Sequence, residues 1–178
     1  MNDSNDLRYP IGKFVVAAAD TAELRQRYID QIAACPAELR RAVTGLSPAQ
    51  LDTPYRDGGW TVRQVVHHLP DSHMNAYVRH KLAATEEQPT IRPYKEALWA
   101  ELPDAKRADT ELSLALLDAL HARWTHFLQT LPPEMFDRAF LHPDLPGPVA
   151  LAKSIGMYAW HGRHHVAQID ALRRREGW

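Results

Sequence analysis

Thr61-Val62-Arg63-Gln64-Val65-Val66-His67-His68-Leu69-Pro70, residues 61–70, opens a helix and carries a histidine onto its apolar flank. Thr61 and Gln64 stand three apart ahead of an apolar run. That is the form of a capping box, in which each side chain satisfies a free backbone donor, so a helix is predicted from here to about Thr85. At about 100° per residue, Val62, Val65, Leu69 and Ala76 mark its inward arc. His68 lies on the flank of that arc with Ser72 and Asn75, and His67 points to nearly the opposite side. His73 also falls inward. Pro70 removes a backbone donor, so a bend is expected directly after His68 and Leu69, and periodicity leaves both His68 and His73 open.

Three more helical stretches flank this one. From Thr21 to about Gly45, Leu24, Tyr28, Ile32, Leu39 and Val43 form a drifting stripe, with a kink or break expected at Pro36. Asp109 caps a third helix, where Leu112, Leu116, Leu120, Trp124, Phe127 and Leu131 recur at threes and fours until Pro132 and Pro133 stop it. A fourth runs from Val149 to about Arg175, and Arg173-Arg174-Arg175 places positive charge where the helix dipole favours it. Between them, Ser47 caps a short turn begun by Pro48. The proline-rich stretch from Pro89 to Pro103, carrying Tyr94 and Trp99, is expected to pack over one end of the bundle. Phe136 to Pro148 reads as a structured loop or short irregular hairpin, and the first twenty residues as an extended arm. The expectation is an all-α four-helix bundle with long structured connections, one domain over residues 1–178.

The 178 residues carry 22 acidic and 21 basic side chains, a formal charge of −1. Nothing in that balance draws the molecule to nucleic acid or anionic lipid. The apolar stretches fall short of the roughly 20 residues that span a bilayer, and no basic-then-apolar leader is seen, so a cytoplasmic protein is expected. A single cysteine, Cys35, excludes an internal disulfide and a cysteine-based metal cluster. It is expected to be a small, partly buried core residue.

The fourth helix contains Trp160-His161-Gly162-Arg163-His164-His165. Residues four apart on a helix sit one above the other, so His161 and His165 can grip one ion, and both lie on or beside the arc of Leu151, Ile155, Tyr158, Ile169 and Leu172. His164 is turned away by about 100° and is expected at the rim or behind a ligand. Two inward imidazoles repel if both are charged, whereas one shared ion satisfies both. Gly162 stands where a zinc protease helix carries its glutamate, which disfavours that chemistry.

The runs Tyr9-Pro10-Ile11-Gly12, Leu51-Asp52-Thr53-Pro54-Tyr55-Arg56-Asp57-Gly58-Gly59-Trp60 with residues 61–69, and Tyr158-Ala159-Trp160-His161 with His164-His165 resemble the DinB/YfiT-like metal-dependent hydrolases. Within that family the chain is similar to the YfiT branch that includes the bacillithiol S-transferases. The resemblance implies an up-down-down-up four-helix bundle, one divalent zinc or nickel ion per chain, and a homodimer. By position it implies His68, His161 and His165 as the metal ligands. Pro70 departs from the alanine expected in this branch.

An ion held by three imidazoles lowers the pKa of bound water from 15.7 toward 7, or binds a thiol as thiolate. The expected activity is therefore thiol S-transfer to a small electrophile, with a low-molecular-weight thiol as co-substrate, or hydrolysis of a small molecule. The alternative is a non-catalytic metal-binding stress-response protein. DNA association is disfavoured by the neutral charge. Asp71, about one turn from His68, is a candidate to orient a ligand or act as base, and Asn75 a candidate to hold a substrate polar group. Trp60, Tyr158 and Trp160 are read as packing.

Overall fold

The computed structural model describes residues 6–178. Four long helices make the body: α1 (Ala22–Val43), α3 (Val62–Thr85), α6 (Thr110–Thr130) and α7 (Leu151–Glu176). Three short ones, α2 (Pro48–Leu51), α4 (Glu96–Trp99) and α5 (Pro103–Arg107), sit in the connections. The expected caps are present. Thr61 accepts from the Gln64 amide while Gln64 accepts from the Thr61 amide, Ser47 and Gln50 make the same reciprocal pair, and Asp109 caps α6.

Contacts along the helices give their directions. Between α1 and α7 the numbers rise together: Tyr28 lies against Gly156, Cys35 against Gly162, and Arg41 pairs with Asp170 at 2.9 Å, so the two run parallel. The α3 and α6 helices are parallel as well, through His67 with Ser113, His73 with His121 and His80 with Trp124. Numbers oppose between α3 and α7, where His68 meets His161 and His80 meets Ser154. They oppose again between α1 and α6, where Arg40 meets Glu111 and Ile32 meets His121. The course is up-down-down-up.

The apolar interior forms two main clusters stacked along the bundle axis. One holds Leu39, Val62, Val65, Val66, Leu69, Leu117, Ile169 and Leu172, the other Ile29, Ile32, Trp124, Leu128 and Ile155. Where they meet, α3, α6 and α7 contribute His73, His121 and His161 in place of aliphatic side chains. A polar layer of three imidazoles thus crosses the core, and it persists because its nitrogens find partners.

Several expectations are corrected. No break occurs at Pro36, where α1 runs on, and α3 continues past Pro70 to Thr85 as the sequence predicts; both prolines are buried. Each proline costs one ladder bond, and tight packing of the turns on either side holds the helix together. On α6 the leucine stripe misplaces the inward face, since Leu112 and Leu116 are 68% and 45% exposed. The buried face is Ser113, Leu114, Leu117, His121, Trp124, Thr125 and Leu128, whose polar members hid it from a count of apolar residues. The last helix begins at Leu151, because Pro148–Ala150 instead pairs antiparallel with Ala139–Leu141 in a short hairpin. Cys35 is fully rather than partly buried, at 2% exposure. The arm over the first twenty residues is non-helical from residue 6 to residue 20, and its first five lie outside the described residues. Among the described residues no helix is long and apolar enough to cross a membrane.

Candidate metal centre

His68 reaches the site from the second turn of α3, and His161 and His165 from successive turns near the middle of α7. Each of the three offers a ring nitrogen within 4.8 Å of the others. The Nε2 atoms of His68 and His161 are 3.3 Å apart. Two nitrogens bound at about 2.0–2.1 Å to one tetrahedral ion stand about 3.3 Å apart, so this separation fits a shared zinc-sized ion. No fourth histidine, cysteine or carboxylate joins the group among the described residues.

All three rings are held neutral. Burial pushes His68 down to about 4. Half-buried His161 and buried His165 lie well below the ordinary histidine value, first because their rings are desolvated and then because neighbouring imidazoles disfavour a second charge. A neutral imidazole has a lone pair to give, which is the state a metal requires.

The other nitrogen of each α7 ligand candidate is occupied. Gln168 Nε2 donates to the Arg8 carbonyl at 2.9 Å, which orients the amide so that its Oε1 accepts from His165 Nδ1–H, also at 2.9 Å. His165 therefore presents a bare Nε2. On His161, Nδ1 lies 3.0 Å from His73 Nε2, leaving Nε2 toward His68. Partners of this kind fix ring orientation and tautomer in metal sites.

The cluster forms one wall of a cavity of about 470 Å³, also lined by Trp60, Ser72, Arg79, Tyr94 and Tyr158. Pro93, Tyr94 and Glu96, from the proline-rich connection, line it as well. Trp60 packs 4.7 Å from the His68 ring, and Tyr158 meets His161 edge-on at 5.8 Å. Trp160 faces away, stacked on His164 at 4.5 Å, with its Nε1–H donating to the Gly12 carbonyl.

The remaining candidates lie elsewhere. His73 stands behind His161 rather than beside His68. His67 is turned toward α6, with Nδ1 2.7 Å from Ser113 Oγ. His164 is buried on the far side of Gln168. Asp71 and Asn75 are not brought to the histidines. Asn75 Nδ2 donates to the Asp71 carbonyl at 2.8 Å, and burial, with Asp104 adding to it, raises the Asp71 carboxyl to about 6.

His121 and Gln168 were not singled out from the sequence. His121 falls four residues after Leu117 and three before Trp124, on the buried face of α6. That spacing was the signal available for it.

A family model described as the DinB superfamily matches residues 31–169. A protein of Bacillus mycoides (strain KBAB4) named "Putative metal-dependent hydrolase" is 55% identical over 173 residues, covering 97% of this chain and 99% of its own. One of Bacillus cereus with the same name is 55% identical over 174 residues, covering 98% and 99%. Among solved structures, YfiT from Bacillus subtilis superposes with a TM-score of 0.94 at 52% identity, over 97% of this chain and 98% of its own. It is described as "a probable metal-dependent hydrolase with an unusual four-helix bundle topology". A match of this length, on a bundle whose parallel neighbours give the same uncommon course, has one reading: the chain belongs to the DinB superfamily.

Proposed function

We propose that His68, His161 and His165 hold one divalent metal ion, zinc or nickel, and that the protein is a metal-dependent enzyme acting on a small molecule in the adjoining cavity. One observation carries this reading: three neutral imidazoles converge from two helices, no fourth protein ligand joins them among the described residues, and they face an open cavity. A site of three protein ligands with an open position is the layout of catalytic rather than structural zinc. When bound, the ion supplies Lewis acidity that activates a nucleophile, water for hydrolysis or a thiol for S-transfer.

The relatives' names favour hydrolysis, and the likeness to the bacillithiol S-transferase branch favours a low-molecular-weight thiol as nucleophile. Of the two we place S-transfer first. The protein's own residues supply the rest. Trp60 and Tyr158 pack against the imidazole rings, and the connection bearing Tyr94 contributes to the wall of the cavity.

Elemental analysis tests the ligand set. His68→Ala, His161→Ala and His165→Ala each lose most of the bound metal, while His67→Ala keeps it. Stoichiometric metal in the His161 or His165 variant overturns the assignment. Activity is tested by following a free thiol in the presence of a model electrophile. Metal-loaded protein consumes it faster than stripped protein; equal rates remove the transferase reading, and metal bound without turnover of any substrate leaves a stress-response metal binder.

A further inference from the structure

Behind His161 a line of imidazoles runs through the core to the backbone of α1. His161 Nδ1 lies 3.0 Å from His73 Nε2, His73 Nδ1 lies 2.7 Å from His121 Nε2, and His121 Nδ1 lies 2.5 Å from the carbonyl oxygen of Ile32. His73 and His121 are 0% and 1% exposed, so water does not substitute for any of these partners.

A neutral imidazole has one N–H and one bare nitrogen, and a carbonyl only accepts. The order of protons follows from the far end. Because Ile32 can only accept, His121 carries its proton on Nδ1 and offers Nε2. His73 must then donate from Nδ1 to His121 and offer Nε2. His161 must donate from Nδ1 to His73, which leaves His161 Nε2 bare and facing His68 Nε2.

The Ile32 carbonyl is free to anchor this line because of Pro36. In an α-helix the carbonyl of residue 32 accepts from the amide of residue 36, and proline has none. A buried carbonyl without its helical partner needs another donor, and His121 is that donor.

We propose that His73 and His121 are positioning residues for the metal centre: anchored on the Ile32 carbonyl that Pro36 leaves open, they hold His161 in the one tautomer whose Nε2 can bind the ion. The proposal rests on His161 being a ligand. The line ends on a carbonyl, which takes no proton, so it holds a proton in place rather than conducting one. It also separates this centre from a second grouping, Cys35 with His73 and His121, whose donor atoms lie within 4.8 Å of one another. Both nitrogens of each of those histidines are already engaged, and burial pushes the Cys35 thiol up to about 12, so it stays protonated. One ion per chain is expected rather than two.

Two measurements test this. Long-range proton–nitrogen NMR spectra of the histidine side chains in the metal-free wild type read the tautomers directly. His121, His73 and His161 are each expected as the Nδ1–H form, and an Nε2–H form on His161 or His73 overturns the proposal. Affinity for Zn²⁺ alone, measured against a competing chelator, reads the consequence. His73→Phe, which offers no acceptor, is expected to lose 10- to 100-fold in affinity, the usual effect of removing such a partner. His73→Gln, whose amide both accepts and donates, is expected to recover most of that loss. Wild-type affinity in a folded His73→Phe protein, or two zinc ions per wild-type chain, overturns the proposal. The wild-type spectrum needs neither a variant nor a bound ion, so expected tautomers in a protein that fails to bind zinc would sink the metal reading while leaving the proton order intact.

Discussion

Gly162 sits between the two histidines of α7, and a β-carbon there would lie 2.5 Å from Cys35 Sγ and 3.5 Å from His73 Cε1. The glycine lets α1 and α7 approach closely at the level of the imidazole layer. Gly162→Ala gains up to about 1 kcal/mol in helix propensity but must displace a buried sulfur, at a cost of about 1–3 kcal/mol. The clash wins. Denaturant melts are expected to show net destabilisation of about 1–2 kcal/mol, the overpacking cost less part of the propensity gain. Adding Cys35→Ala, which removes the sulfur, recovers most of it. A Gly162→Ala protein as stable as wild type would contradict this packing. From sequence, position 162 showed only that a protease glutamate was missing. The reason for glycine lies on another helix, far back along the chain at Cys35, where no local pattern reaches.

The helix that brings His68 to the site was the most legible element, because its start is written locally. Thr61 and Gln64 hold each other's backbone amides at 3.1 and 2.9 Å. Thr61→Ala is expected to cost about 1 kcal/mol, the usual value of a lost N-cap, visible as a lowered urea midpoint. Metal content should stay at the wild-type level, since His68 lies about two turns beyond the cap and is held by core neighbours; a loss of metal would mean that the cap also sets the direction of that histidine. By contrast, α6 was readable as a helix but not in its orientation. Its buried face mixes Leu114, Leu117, Trp124 and Leu128 with Ser113, His121 and Thr125, while Leu112 and Leu116 face water. Apolar periodicity selects the wrong face when the core it packs against is partly polar. The His161 and His165 pair was visible from spacing alone. Periodicity narrowed the third ligand candidate only to His68 or His73, since both face inward; the family resemblance singled out His68, and the pairing of α3 with α7 is what puts it beside His161.

Across the molecule, buried histidines tie stability to acidity. Burial lowers His68, His121 and His164 to about 4 and His80 to about 3, against an ordinary value of 6.5. The unfolded chain takes up protons near pH 6.5 and the folded one only well below it. Stability is therefore full above about 6.5 and falls as pH drops toward 4, by up to about 1.4 kcal/mol per pH unit for each such histidine. Urea midpoints of the metal-free protein should drop steeply over that interval. Zinc excludes protons from its ligands and stabilises the fold it binds, so the loaded protein should hold its midpoint to lower pH. A flat profile in the metal-free protein would show that these rings are not buried neutral. The bundle class and the long helices could be read from the chain, but the three-imidazole layer could not, since it joins side chains from different helices. Anyone rebuilding this scaffold by conventional stabilisation would swap the buried proline of its first helix for alanine. That edit would restore a ladder bond to the Ile32 carbonyl and set a new competitor against His121, so a change that improves the rod can loosen a metal grip two imidazoles away.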